Sequence, residues 1–132
     1  IEILVDVTKQ KQLLSDHNLL DEFGIPTFPL NTDGIDPQGI NFLIENVTIV
    51  NFDDAVAVKP QKNTNYFSSC SQDMVIRNSV VKFSVGMTIG SVPPNDNVNC
   101  VQNITFDNIV MHHPIKGIYV KTNPGDSGSG LI

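Results

Sequence analysis

Carboxylates gather at two places in one short stretch of this sequence. Residues 31–36 carry Asp33 and Asp36, and residues 51–54 carry Asp53 and Asp54. Acid/base hydrolysis of a glycosidic bond needs two carboxyl groups, one to protonate the leaving oxygen and one to activate water. Asp is also common in ordinary solvated turns, because its side chain bonds the nearby backbone. The meaning of the cluster therefore depends on the fold that positions it.

The chain has 132 residues, a length typical of one domain. Its formal net charge is −6 with only eight Lys plus Arg, which argues against a nucleic-acid partner. It contains no apolar run of about 18 residues, so no membrane partner is predicted either.

From residue 40 onward the sequence repeats itself about every 30 residues. Each repeat has an Asn in the middle of an apolar alternation, followed by a second apolar alternation. Repeats of this length built from short strands predict a parallel β-helix, in which each repeat forms one coil. An immunoglobulin-like sandwich or a jelly roll predicts no such recurrence. The first alternation occupies residues 44–49, 76–81 and 106–111, and the second occupies 55–58, 86–89 and 117–120.

We therefore predict an all-β, single-domain solenoid of about four to five coils over residues 1–132. Residues 31–132 form the coils, and residues 1–30 form a strand and a surface excursion. Residues 8–23 are helix-like, with Thr8 as a possible N-cap and Gly24 as a possible stop, but two short turns are an equal alternative. Strand-like sequence at both ends indicates a piece of a longer chain, because bare terminal coils expose strand edges.

The two cysteines, Cys70 and Cys100, are 30 residues apart, the same offset as Asn78 and Asn108. Equivalent positions on neighbouring coils lie roughly 4.8 Å apart, and a disulfide accepts Cα separations of about 4.4 to 6.8 Å. A disulfide is predicted, with two buried free thiols as the alternative. Together with glycosylation sequons at Asn46 and Asn103, it favours a secreted protein.

The acidic residues, on a β-helix, resemble the polygalacturonase family, family 28 of the glycoside hydrolases. The motif Asn31-Thr32-Asp33-Gly34 is followed by Asp53-Asp54, as in that family. Residues 86–91 (GMTIGS) stand where the family has Gly-His-Gly followed by Ile-Gly-Ser, and residues 117–122 (GIYVKT) stand where it has Arg-Ile-Lys-Thr. The resemblance covers roughly residues 25–132.

The resemblance implies a right-handed parallel β-helix that hydrolyses pectin with inversion at the anomeric carbon. A polysaccharide would be the partner of an extracellular enzyme that is monomeric as the full-length chain. No cofactor is expected, and the adjacent His112 and His113 make poor metal ligands because neighbouring side chains diverge along a strand, so no metal site is expected.

The resemblance also assigns roles to the acids. Asp53 would be the general acid, while Asp33 and Asp54 would hold and deprotonate the attacking water. The two catalytic carboxyl groups of an inverting enzyme are normally about 6.5 to 9.5 Å apart. Crowding of the carboxylates would raise the pKa of one of them, which would keep the general acid protonated. Because strand side chains alternate between faces, Asp53 and Asp54 share a site only if the backbone bends or bulges there.

Two positions depart from the family motif. The family histidine falls on Val85, and the family arginine falls on Tyr119. Lys121 is retained as a candidate to bind a galacturonate carboxylate, with Asn31 and Tyr119 as further substrate-binding candidates. Tyr119 would either stack on a sugar ring or serve as an ordinary strand aromatic.

The remaining lysines, Lys59, Lys62, Lys82 and Lys116, are predicted to be solvated, with Lys116 and Lys121 as the nearest positive charge to the acids. The sequence thus predicts a glycoside hydrolase acting on pectic polysaccharide, with endo or exo action left open. The alternatives are a non-catalytic relative, which binds plant-wall glycan or is purely structural, and a Ca²⁺-dependent carbohydrate lyase.

Overall fold

The computed structural model describes residues 1–18, 31–62, 70–94, 98–125 and 129–131. Strands dominate this part of the chain, with one helix near the start. In chain order the elements are β1 (Glu2–Leu4), α1 (Val7–Asp16), β2 (Ile40–Glu45), β3 (Thr48–Val50), β4 (Asp54–Val58), β5 (Gln61–Lys62), β6 (Ser71–Lys82), β7 (Gly86–Val92), β8 (Val98–His112), β9 (Ile118–Thr122) and β10 (Ser129–Leu131).

The strands form two sheets whose neighbours come from successive coils. The larger sheet runs β1-β3-β6-β8-β10, with β2 also paired to β6, and the smaller sheet runs β4-β7-β9. All of these pairs are parallel, while the short β5 pairs antiparallel with β8. Parallel pairing of strands from successive coils, with α1 as the one helix within the described residues, is the arrangement of a parallel β-helix, which confirms the predicted fold.

The register of the strands confirms the repeat found in the sequence. Ile44 pairs with Ile76, and Ile76 pairs with Phe106, so the three repeats stack position by position. The second alternation stacks in the same way, since Val56 pairs with Met87 and Met87 with Ile118.

A row of left-handed asparagines runs along the stacked turns. Asn46, Asn78 and Asn108 have φ angles of 55°, 51° and 50°. The side-chain amide of Asn108 donates to the side-chain oxygen of Asn78 at 2.8 Å. Asn tolerates this backbone region better than most residues, so the Asn that recurs in each repeat of the sequence occupies equivalent turn positions on successive coils.

A second row of the same kind escaped prediction. Asn41, Asp73 and Asn103 have φ angles of 62°, 55° and 52°, and the Asn103 amide donates to the Asp73 carboxylate at 2.6 Å. Its members are 32 and 30 residues apart, the same spacings as in the first row. The sequence therefore contained the signal.

The core lies between the two sheets. Nearly all of its members are Val, Ile or Met from strand positions that face inward, which is why the apolar residues alternate in the sequence. The fully or almost fully buried ones include Val47, Ile49, Val56, Val58, Met74, Ile76, Val81, Met87 and Val101. Among the described residues, no helix is long and apolar enough to cross a membrane.

The excursion in the first 30 residues contains a helix, which sequence reasoning only half anticipated. α1 begins one residue before Thr8, and the N-cap is Asp6, whose carboxylate accepts from the Lys9 backbone N–H at 3.0 Å. Thr8 as N-cap is therefore wrong. The helix ends at Asp16, and Gly24 lies outside the described residues.

The predicted disulfide is present. Cys70 and Cys100 are bonded, with their Cα atoms 4.6 Å apart, within the accepted range. Since Ser71 pairs with Val101 in the adjoining register, the two cysteines occupy equivalent positions on neighbouring coils, as their spacing predicted.

Candidate active site

The two acidic motifs lie side by side on neighbouring coils and are joined by hydrogen bonds. The Phe52 backbone N–H donates to the Thr32 hydroxyl at 3.1 Å, and the Gly34 N–H donates to the Asp54 carbonyl at 2.9 Å. The Asn31 N–H donates to the Asp53 carboxylate at 3.1 Å. These bonds fix the relative positions of Asp33, at the centre of the first motif, and the carboxylates of the second.

The backbone changes direction at Asp53 and Asp54, as two acids in one site require. Asp53 lies in a bend just before β4, and the β4–β7 register slips between Asp54 and Val56, which is a bulge. The next coil holds the bend, because the Ser84 hydroxyl and the Val85 N–H both donate to the Asp53 carbonyl, at 2.6 and 2.9 Å. The predicted distortion is confirmed.

The three acids assigned as catalytic converge. One carboxylate oxygen from each of Asp33, Asp53 and Asp54 lies within 4.8 Å of the others. This limit applies to the closest oxygens, whereas the expected separation of about 6.5 to 9.5 Å is one between the acid and base carboxyl groups, so that expectation stays a prediction. The short spacing follows from the hydrogen-bonded seam between the motifs, which brings Asp33 directly beside the second coil.

Asp54 is the buried member of the cluster. Its side chain has no exposed surface, and its two oxygens take separate donors from β9. The Tyr119 hydroxyl donates to one oxygen, and the Lys121 ammonium pairs with the other. A buried charge needs a partner of opposite sign and hydrogen bonds, and Asp54 has both.

The contacts with Asp54 also fix the protonation of its partners. Burial raises the pKa of the Tyr119 hydroxyl, and the hydrogen bond and negative charge of Asp54 raise it further, so Tyr119 stays a donor. Burial lowers the pKa of Lys121, but the hydrogen bond and charge of Asp54, with the charges of Asp53 and Asp33, outweigh burial and raise it overall. Lys121 therefore stays charged.

Asp33 is the acid whose pKa is raised. Burial raises the pKa of Asp33 most, the charges of Asp53, Asp36 and Asp54 raise it further, and Lys59 lowers it. Lys59 lies 4.0 Å from Asp33 and 3.2 Å from Asp36. Lys59 is thus part of the cluster, and its assignment as a merely solvated lysine is wrong.

Asp53 is held by backbone donors. Its two carboxylate oxygens accept separately from the Asn31 N–H at 3.1 Å and from the Asp54 N–H at 2.9 Å. Crowding was expected to raise the pKa of one carboxyl group; at Asp33, burial raises the pKa most and the charges of the neighbouring acids raise it further. Asn31 contributes its backbone to the site, while its residue is exposed to solvent.

Sequence reasoning missed the role of Asn51. Its buried side-chain amide donates to the carbonyls of Thr32 and Asp54, both at 2.8 Å, so one side chain clamps the two motifs together. Within the part of the chain that the structure describes, its side-chain oxygen is buried without a hydrogen-bond partner. Asn51 was visible as part of the second motif, but only the coil geometry shows which carbonyls it reaches.

The comparison with known proteins agrees with this geometry. The profile described as "Glycosyl hydrolases family 28" matches residues 3–130. The chain belongs to glycosyl hydrolase family 28.

Curated relatives of this family 28 chain are fungal. It is 32% identical over 119 residues to "Probable exopolygalacturonase C" of Aspergillus niger, which covers 88% of this chain and 24% of that protein. The protein of the same name from Aspergillus terreus is 34% identical over 119 residues, at 88% and 25% coverage. "Probable endo-xylogalacturonan hydrolase A" of Neosartorya fischeri is 33% identical over 104 residues, at 78% and 23% coverage.

The chain therefore spans about a quarter of the length of these relatives. No solved structure gives a significant match.

The two departures from the family 28 motif differ in their structural consequence. At the histidine position, half-buried Val85 keeps a backbone role by donating to Asp53 and accepting from the Lys116 N–H at 2.7 Å. At the arginine position, Tyr119 bonds Asp54 directly. Neither predicted role for Tyr119, sugar stacking or a plain strand aromatic, included this bond.

The backbone conformation and close packing at the Ile-Gly-Ser element explain why its central residue is glycine. Gly90 has a φ of 128°, and a Cβ there would collide with the carbonyl oxygen of Lys121. Glycine is the residue that accepts this backbone conformation and close approach. It lets β7 lie directly against the segment of β9 that carries Lys121.

The histidine pair lies at the end of β8, where His112 is the last residue of the strand and His113 begins the turn. The ring of His113 stacks on Phe83, with centroids 5.6 Å apart and planes 10° apart. Phe83 and His113 both have positive φ and are exposed. The stack joins two neighbouring coils, so His113 has a packing contact in the turn.

The spacing of Asp33, Asp53 and Asp54 is also one that could hold a metal ion. Exposed acidic groups commonly have this spacing without a metal, and Lys121 already supplies positive charge to Asp54. The expectation of no metal site stays a prediction, which a chelator tests below.

Replacing Gly34 by Ala is expected to disturb the site, because a Cβ would collide with the carbonyl oxygen of Ala55 and press on Ile49. Overpacking of this kind typically costs about 1–3 kcal/mol, and here it would push Asp33 away from Asp54. Urea unfolding and activity measure the two effects. The matched control is Gly117→Ala, whose Cβ would meet nothing within 4 Å; equal losses in both variants would contradict the explanation.

Proposed function

We propose that this segment carries the catalytic centre of a pectic galacturonan hydrolase. The observation that supports the proposal most is the convergence of Asp33, Asp53 and Asp54 within 4.8 Å, in a chain of family 28. Lys121 and Tyr119 hold one of these carboxylates in a buried position.

In the proposed mechanism Asp53 protonates the leaving glycosidic oxygen, and Asp33 with Asp54 holds and deprotonates water. Asp54 is fixed in position for this role, since its oxygens accept from Tyr119 and Lys121. Lys121 also has further N–H donors, with which it could contact substrate.

We propose an unbranched or xylose-substituted galacturonan as the substrate, since the named relatives include exopolygalacturonases and an endo-xylogalacturonan hydrolase. Exo action is the primary proposal, because the two Aspergillus relatives described above carry an exopolygalacturonase name and match a larger share of this chain than the xylogalacturonan hydrolase does. The product profile distinguishes the two modes. Exo action releases monomers or dimers from the first minutes, whereas endo action first yields a spread of oligomers.

The decisive experiment measures reducing ends released by the full-length protein from polygalacturonate and xylogalacturonan. Hydrolysis with inversion predicts that NMR of the first product shows the anomer opposite to that of the cleaved bond. If neither polymer, nor any other pectin in a panel, is cleaved under conditions where the protein is folded, the non-catalytic alternative replaces the proposal.

The lyase alternative has a distinct signature. A lyase would leave an unsaturated product and, where Ca²⁺-dependent, would stop on addition of chelator. For the proposed hydrolase, chelator leaves the rate of reducing-end release unchanged and no unsaturated product forms.

The pH dependence of activity is expected to report Asp33. As a base, Asp33 must be ionised, so kcat/KM falls on the acid side as pH drops through its pKa, which lies above the ordinary value of 3.8. Lys59→Met removes the charge that lowers this pKa, so the acid limb should move to higher pH. Lys59→Arg, which keeps the charge, is the control. An unchanged acid limb in Lys59→Met would show that Asp33 does not set it.

We further propose that the protein is secreted and glycosylated. The Cys70–Cys100 disulfide favours an oxidising compartment, and both sequon asparagines, Asn46 and Asn103, are exposed. The proposal is tested by the intact mass of the protein from its source before and after enzymatic deglycosylation; an unchanged mass would reject glycosylation.

A further inference from the structure

The proposed substrate is a chain of galacturonates, so each sugar brings a carboxylate to a site that is already acidic. Asp33, Asp36, Asp53 and Asp54 stand against the positive charges of Lys59 and Lys121. Like charges at close range oppose binding. The site therefore needs a cation that its own acids do not already neutralise.

Both of those lysines are committed to carboxylates of the protein. The Lys59 ammonium pairs with Asp36 at 3.2 Å, and the Lys121 ammonium pairs with buried Asp54. Moving Lys121 toward substrate would weaken the support of a charge that has no access to water. Neither lysine is free to serve mainly the substrate.

Lys116 has a different environment. Its backbone N–H donates to the Val85 carbonyl at 2.7 Å, and the Val85 N–H donates to the Asp53 carbonyl at 2.9 Å, so three successive coils connect Lys116 to the acid cluster. Its ammonium lies over the Tyr119 ring, 4.4 Å from the centroid. The hydroxyl of that same ring reaches Asp54.

We infer that Lys116 binds a carboxylate of the substrate beside the catalytic acids. This inference rests on the proposed function. Lys116 is exposed, and the structure records an ion pair to a carboxylate for Lys59 and Lys121 but none for Lys116 within the described ranges. At an exposed site the ring holds an ammonium more weakly than a charge-assisted hydrogen bond to a carboxylate does. The ring therefore orients Lys116 without retaining it.

The residue at position 119 explains why a cation from another position would be needed. It occupies the position at which the family motif has a cation, and its phenol is used to hold Asp54. Lys116, three residues earlier in the chain, supplies a positive charge over the face of this ring. The substrate carboxylate would thus be recognised by a lysine from the turn before β9.

The test compares oligogalacturonates as free acids with the corresponding methyl esters, using the full-length protein. Lys116→Gln is expected to raise KM for the free acids about tenfold, the effect of one charge-assisted hydrogen bond, with kcat nearly unchanged. KM for the methyl esters should stay constant, because they present no carboxylate. Lys116→Arg should retain most of the affinity, and Lys82→Gln, at an exposed lysine on β6, is the control.

Two results would overturn the inference. An unchanged KM for free acids in Lys116→Gln would show that Lys116 makes no contact with the carboxylate. Equal losses on acids and esters would show that Lys116 merely positions Tyr119. Calorimetric binding of trigalacturonate to Asp53→Asn, with and without Lys116→Gln, tests the contact without turnover. Failure of the wild type to cleave any pectin would instead reject the proposed function, a separate outcome.

Discussion

Asp53→Asn is expected to lower kcat on polygalacturonate by about 10²- to 10⁴-fold, the usual contribution of a positioned general acid or base. The carboxamide cannot deliver a proton to the leaving oxygen. It also places an N–H₂ group where one carboxylate oxygen accepts from the Asn31 or Asp54 N–H, so folding must be checked by urea unfolding. The control is Asp107→Asn, at an exposed acid on β8.

An activated substrate separates the roles of the three acids. An aryl galacturonide with a good leaving group needs little protonation, so Asp53→Asn should retain much of its activity on it. Asp33→Asn and Asp54→Asn should lose activity on both substrates, because water must still be deprotonated. If Asp33→Asn is the variant that retains activity on the aryl substrate, the acid is Asp33, the residue whose pKa is raised.

Lys121→Met is expected to have the second large effect. It leaves the fully buried Asp54 carboxylate with the Tyr119 hydroxyl but no cation. Removing one partner of a buried pair typically costs about 3–5 kcal/mol; the partial exposure of Lys121 places the expected loss near the lower figure, about 3 kcal/mol. The midpoint of urea unfolding measures the loss, and the activity should fall with it because Asp54 loses its position.

A double variant isolates the pair. Asp54→Asn with Lys121→Met removes both charges, so its loss of stability should be smaller than the sum of the single losses. Lys82→Met is the matched control. A Lys121→Met variant as stable as Lys82→Met would contradict the importance of the pair.

Much of the fold could be predicted because the sequence pattern of a β-helix repeats from coil to coil, and this period gives the register of the strands. Residues at equivalent places in successive coils become neighbours, so the recurring Asn residues and the offset of 30 between Cys70 and Cys100 were enough to place them together. The same rule put Asp33 next to Asp53 and Asp54. It also contained the second ladder, from Asn41 to Asn103, which a search for one residue type overlooks because its middle member is Asp73.

The contacts that could not be predicted are those that depend on the positions of the side-chain termini. The period places Tyr119 and Lys121 on β9, two coils beyond Asp54, yet both side chains reach back across β7 to its oxygens. Whether Lys59 is solvated or paired depends on a few ångströms at the end of a flexible chain. Packing and charge determine these contacts, and such contacts do not recur along the sequence with the period of the coils.

The ladder pairings have a consequence for how such a chain can change. Glu2 pairs with Thr48, Thr48 with Val80 and Val80 with Val110, so successive coils differ in length, at 46, 32 and 30 residues, while the strands stay aligned. The longest coil contains α1, and Asp33 in that coil still lies beside Asp54. A coil can therefore differ in length between its strands while the strand pairing that aligns the acid cluster is kept.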